Sequence, residues 1–411
     1  MSRRVRAAKR PKGVPGVDAS QWATAGVCLF LLGFAAPIPS QFPLAALVGF
    51  ALMATFFEAA PGKAGVPLPL MLAVGGFLVL TGLSILFSID RSRSLELSAS
   101  WIPGVLLFVV ISERLRSAEN LRSVYACLSC VALGLSVALL AGRWFYGPDA
   151  HVWLLELGFP VLVVPNDCHF LALLTPFSLV LAERNPRSGL GAVALLSIGA
   201  TGFAIIALGG RGAVLVWGVC LVVTGTLLRP RLGVGLAVAS VLIVGLGDAA
   251  LGFPLASKFT DVVDTRISLW IVAWEMFLDA PWMGQGPHTY RLLYLEYLNR
   301  IDFREWVRFD TWGTAVPWAH NLYLEVLAER GISGFVSFFS LAGIAVYYAN
   351  RARRRGAAEV ASLAAGVMGC LAGLFVSGIF EASLLRIWCV VLLFCVMGLV
   401  GRLADLTQPG G

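Results

Sequence analysis

Charge is scarce in this chain, and long polar stretches are scarcer. Of 411 residues, 13% are charged and 58% hydrophobic, and mean hydropathy is +0.82. A water-soluble domain of that size has too little interior to hide so much apolar side chain, which excludes a soluble enzyme. The apolar runs lack the polar–apolar alternation of barrel strands, which excludes a membrane β-barrel. Histidine is rare: His151, His169, His288 and His320 are the only four. None of them pairs at zinc-ligand spacing and no H-E-x-x-H occurs, so neither a metal nor another cofactor is expected. A disulfide framework is excluded as well. Of the eight cysteines, Cys28, Cys127, Cys130, Cys220, Cys370, Cys389 and Cys395 fall inside apolar runs, and Cys168 stands beside one. Cys127 and Cys130, spaced C-x-x-C with no histidine near, read as packing residues.

What is present is a series of apolar runs, most of about 17 residues or more, each long enough to cross a hydrocarbon core of ~30 Å. Backbone groups in lipid must satisfy one another, so these runs are helices. The chain is expected to be an all-α polytopic membrane protein with about 12 transmembrane helices. The spans are 22–38, 42–59, 66–88, 99–112, 121–142, 168–182, 190–209, 212–228, 232–250, 332–349, 359–379 and 387–402. Residues 1–21 form a basic tail, 22–250 the first group of spans, 251–331 a long loop with amphipathic helices, 332–402 the last spans, and 403–411 a short tail.

The net charge of +7 would suggest nucleic acid in a soluble protein. Here its distribution reads as topology instead, and no nucleic-acid partner is expected. Basic blocks recur in alternate connections: Arg3, Arg4, Arg6, Lys9, Arg10 and Lys12; Arg114, Arg116 and Arg122; Arg184 and Arg187; Arg229 and Arg231; and Arg351, Arg353, Arg354 and Arg355. The positive-inside rule makes these cytoplasmic, with both termini. The long connections at about 143–167 and 251–331 then face outward, and chemistry is expected there.

Polar residues on that face have two readings each. Residues 265–279 place Ile267, Trp270, Ile271, Trp274 and Phe277 one turn apart, an amphipathic helix suited to the membrane interface. Arg266 stands at its start, and Pro281 ends it before a Gly284-x-Gly286 turn. Aromatic side chains across 288–308 form either an interface belt or a sugar platform. Arg211, isolated among apolar residues and flanked by glycine, is either a snorkelling turn residue or an anion ligand. Asn166 and Asp167 either cap the next helix or serve the acceptor, and His169 and His288 read as interfacial. Glu325 and Glu329 share a helix face and either pair with arginine or help bind an acceptor. His320-Asn321 opens a helical pattern, where the helix dipole disfavours imidazolium. A neutral imidazole there is either structural or a general base.

His320-Asn321, nine residues, Gly331, two residues and Gly334 resemble the H-[NSQ]-x9-G-x-x-G signature of the O-antigen ligase superfamily. Arg211 with Leu215 resembles its R-x3-L element. Arg266, Trp270, Trp274, Pro281, Gly284 and Gly286 are similar to its R…W…P-x-x-G-x-G approach to the histidine. The resemblance implies a GT-C-like, metal-independent glycosyltransferase of the bacterial inner membrane with its site facing the periplasm. Its donor would be an undecaprenyl-diphosphate-linked glycan and its acceptor lipid A core or another glycan. His320 would be the base, with Arg211 and Arg266 on the diphosphate. No D-x-D pair stands in the outer loops, and Asp261 and Asp264 read as a cap for the amphipathic helix. Two rivals remain open: a polymerase of the same superfamily, and a transporter. Nearly uncharged mid-span segments and the lack of an internal repeat speak against transport.

Overall fold

The computed structural model describes residues 19–56, 65–147, 156–158, 168–251, 259–301 and 316–408. Among them every regular element is helical: α1 (Ala19–Ala35), α2 (Gln41–Phe56), α3 (Leu68–Leu86), α4 (Arg91–Ala99), α5 (Ile102–Arg114), α6 (Ala118–Tyr146), α7 (Cys168–Arg184), α8 (Gly189–Ala207), α9 (Arg211–Leu228), α10 (Pro230–Leu251), α11 (Phe259–Asp279), α12 (Tyr290–Arg300), α13 (Leu322–Arg355), α14 (Ala358–Phe380) and α15 (Ile387–Asp405). Each expected span overlaps helix among the described residues, with 99–112 covering the end of α4 and most of α5 and with 57–59 of the second span outside the described residues. Eight of the stretches are long and apolar enough to cross a membrane: α3, α4 with α5, α6, α8, α9, α13, α14 and α15. α1, α2 and part of α10 are apolar but shorter. The chain is a polytopic helical membrane protein.

α15 and α7 are apolar on every side, and a helix of that kind belongs inside a bundle. From Trp388 to Asp405 every residue of α15 is buried, as is every residue of α7 from Cys168 to Ala182. Small residues let neighbours approach closely, as membrane helices require in the absence of a hydrophobic driving force. α14 illustrates this: Gly366 meets Tyr125 and Val180, Gly369 meets Thr224, and Gly373 meets Cys220. Within α6, Cys127 donates to the Cys28 carbonyl (3.3 Å), so this cysteine ties α6 to α1.

A second, smaller core lies outside the main bundle. Leu269, Val272, Ala273 and Met276 of α11, Tyr290, Tyr294 and Tyr297 of α12, and Ala328 of α13 form it with Val316 and Ala319. The face of α11 that this core buries is a different one from the stripe read as suited to the membrane interface. Trp274 is 44% exposed and Leu278 51%, while Trp270 and Phe277 are half-buried. α11 has two apolar faces, and periodicity alone does not tell which one the protein covers. The helix also starts at Phe259, so Asp261 and Asp264 fall within its first turns rather than before them.

The two glycine motifs belong to one piece of architecture. α13 breaks at Gly331, whose φ of 62° and ψ of −166° are open essentially to glycine alone. A continuous helix would bond Ile332 N–H to the Ala328 carbonyl and Ser333 N–H to the Glu329 carbonyl. Instead Ile332 donates to the Pro281 carbonyl (2.8 Å) and Ser333 to that of Trp282 (3.3 Å). The two freed carbonyls accept from Gln285 (2.9 Å) and Gly286 (3.0 Å). The Pro281–Gly286 turn thus knits the two halves of α13 together and replaces each bond the kink removes. Ser84 adds a bond to the Glu329 carbonyl (2.9 Å) and another to that of Met283 (2.7 Å).

Candidate active site

The residues singled out in sequence meet where α13 begins and α14 ends. Asn321 is the N-cap of α13: its side-chain oxygen accepts from Tyr323 N–H (3.0 Å) and Leu324 N–H (3.1 Å). The cap fixes the preceding residue in turn. His320 has a φ of 50°, in the left-handed region that costs a non-glycine residue roughly 1–3 kcal/mol. Its imidazole is mostly buried, 14% exposed, and packs on Trp318 with ring centroids 5.0 Å apart.

His320 Nδ1 lies 2.9 Å from Glu381 Oε2. Glu381 stands just after α14, almost wholly buried, and is the hub of the cluster. Its Oε1 accepts from Arg386 Nη2 at 2.9 Å, and Arg266 Nη2 approaches Oε2 at 3.7 Å. The Arg386 guanidinium lies over the Trp318 ring, 4.3 Å from its centroid. Burial pushes the Glu381 carboxyl up, but the His320 hydrogen bond and the neighbouring cations outweigh it and hold the group below its ordinary value. An ionised carboxylate can only accept, so the hydrogen of this bond sits on Nδ1. In the neutral form of the ring, Nε2 is then the nitrogen with a lone pair for a reactant.

Arg211 is the first residue of α9, after a turn in which Gly209 takes a φ of 71°. Its neighbour Gly212 lies against His169 and Phe380, the residue before Glu381. His169 also bonds Ser377 through Nδ1 (2.9 Å), so it links α7 and α14 under the cluster and is buried rather than interfacial. Arg211, Arg266 and His320, distant in sequence, thus sit on three elements that converge on the 377–386 segment. Two arginines, Arg266 and Arg386, face one carboxylate, so this cluster is net cationic.

Glu325 and Glu329 are buried, at 1% and 3% exposure. Glu325 Oε1 accepts from Leu384 N–H (3.0 Å); Glu329 accepts from Tyr290 N–H (3.2 Å) and pairs with Arg330 (3.2 Å). Arg330 is itself fully buried, over the Trp101 ring at 5.3 Å. His288, also expected at the interface, is 4% exposed and takes a φ of 64°. Gly284, Gly286, Gly331 and Gly334 form the knitted turn and its kink. Asn166, Asp167 and His151 lie outside the described residues. Sequence reasoning missed Glu381 and Arg386, an acid and a base in the short connection between the last two spans. Their signal was that polar interruption, on the same side of the membrane as His320 by the expected topology.

Residues 192–339 match the family model described as O-antigen ligase. That segment is an O-antigen ligase domain. It holds Arg211, Arg266, both glycine motifs and His320-Asn321, whereas Glu381 and Arg386 lie beyond it. The family's activity is glycan transfer of the ligase and polymerase type, which makes the chain a glycosyltransferase. No curated protein matches the chain.

Proposed function

We propose that this O-antigen ligase-family protein transfers a glycan from an undecaprenyl-diphosphate carrier to a hydroxyl of lipid A core, at the periplasmic face of the bacterial inner membrane. The observation that carries the mechanism is the 2.9 Å contact between His320 Nδ1 and Glu381, with Arg266 on the same carboxylate. Glu381 orients the imidazole and supports the charge it gains, leaving Nε2 to accept the proton of the acceptor hydroxyl. That oxygen attacks the anomeric carbon as the bond to the diphosphate breaks, and attack from the opposite face inverts the configuration. The leaving undecaprenyl diphosphate gathers negative charge, which Arg211 and Arg266 take up; guanidinium donors suit phosphate oxygens. Arginines fill the role that a metal plays in other transferases, so the reaction is metal-independent.

The basic blocks of the alternate connections support cytoplasmic termini and about 12 crossings in a GT-C-like plan, with the site facing outward. Deleting the gene and resolving surface polysaccharide on gels tests the acceptor. Loss of capped lipopolysaccharide with accumulation of lipid-linked polymer is the expected result. A ladder collapsed to one repeat would replace lipid A core with a growing glycan, the reaction of a polymerase, and an unchanged ladder would refute both.

A further inference from the structure

We infer that Glu325 is a positioning residue, holding the turn that carries Glu381 and Arg386 against His320; the inference rests on the reading of His320 as base. Glu325 is 1% exposed, so an acceptor sugar does not reach it. It grips a peptide instead. Leu384 N–H donates to Glu325 Oε1 (3.0 Å), and the carbonyl of the same Leu384 accepts from Trp101 Nε1 (3.3 Å). Leu384 is thereby held on both sides, at the centre of the turn from Glu381 to Arg386. Ala382, Ser383 and Leu384 are buried, and the turn's other end is tied by Ala382 N–H to the Ser377 carbonyl (2.9 Å).

The geometry makes α13 a two-point gauge. Its N-cap, Asn321, follows His320, and one turn later Glu325 fixes the segment that presents Glu381. Base and orienting carboxylate are therefore referred to a single rigid helix, although their contact joins residues 61 positions apart. A Glu325→Gln side chain still offers an oxygen to Leu384 N–H. A Glu325→Met side chain of similar length does not, and leaves a buried N–H unpaired, which drives the turn to shift.

The test uses full-length protein in proteoliposomes, with undecaprenyl-diphosphate-linked glycan and lipid A core extracted from the bacterium that carries the gene. Transfer is read on either acceptor, lipid A core or a second lipid-linked glycan. Glu325→Gln should stay within about twofold of wild type in kcat. Glu325→Met should lose about 10²-fold in kcat, the scale of an ångström-sized misplacement, at unchanged donor KM. In a Glu381→Gln background the same Met substitution should add less than about twofold, because its effect runs through Glu381. Wild-type kcat in Glu325→Met, a raised acceptor KM, or losses that multiply with those of Glu381→Gln would each overturn the proposal. If Glu325→Met does not fold, Trp101→Phe removes one bond to the same Leu384 and must show the same dependence on Glu381. Full activity in His320→Ala refutes the base reading itself, whereas an inactive His320→Ala with a fully active Glu325→Met refutes only the positioning role.

Discussion

Replacing Gly331 with alanine should break the knitted turn, and the size of the effect follows from its geometry. The residue's φ of 62° and ψ of −166° cost an alanine roughly 1–3 kcal/mol. Its Cβ would stand 2.5 Å from both the Trp282 carbonyl carbon and oxygen, which are backbone atoms with little freedom to retreat. Relief requires the Pro281–Gly286 turn to move away from α13. Four backbone bonds cross that junction, between Ile332 and Pro281, Ser333 and Trp282, Gln285 and Ala328, and Gly286 and Glu329. Losing two of them at about 1 kcal/mol each brings the destabilisation to about 3–5 kcal/mol. Gly343, on the same helix with nothing within 4 Å of an added Cβ, is the control; there alanine should be neutral or stabilise by up to about 1 kcal/mol. Thermal unfolding of both variants in the same detergent measures the difference as a shift of several degrees in the apparent midpoint. Equal midpoints for Gly331→Ala and Gly343→Ala would refute the account of the kink.

His288 supplies a pH-dependent prediction. Burial, with Arg330 and Arg93 nearby, pushes its folded pKa down to about 3 from an ordinary 6.5. The unfolded chain then binds a proton that the folded chain refuses, so this stability is complete above pH 6.5 and is lost as pH falls toward about 3. His288→Phe should flatten that acid decline in thermal midpoints, by an amount on the order of a few kcal/mol; an unaltered acid limb would show that His288 does not drive it. Arg211→Ala and Arg266→Ala should each weaken donor use about 10- to 10³-fold in kcat/KM, the range of a lost charge-stabilising contact. Unchanged donor kinetics in both would remove the diphosphate assignment.

Much of this architecture was legible from local sequence. Apolar runs gave the helices, because lipid leaves the backbone no alternative. His320-Asn321 marked the start of a helical pattern, though not the capping role of Asn321, and the spacing of Pro281, Gly284 and Gly286 marked a tight turn. What stayed hidden depends on contacts between distant segments. Glu381 and Arg386 stand in a short connection with no spacing rule to tie them to His320. Glu325 and Glu329 share a helix face, and charge on a face ordinarily means solvent; here a turn from the end of α14 and the N-terminus of α12 cover it. Pattern also could not choose between the two apolar faces of α11, since Leu269, Val272 and Met276 are as apolar as Trp270 and Trp274.

The central claim is that His320 takes the proton of the acceptor. Its most direct test is glycan transfer by purified His320→Ala in proteoliposomes, with donor binding measured in parallel. The account predicts a loss in kcat of about 10²–10⁴-fold, the usual contribution of a general base, with donor affinity retained through Arg211 and Arg266. Wild-type transfer by His320→Ala would contradict it.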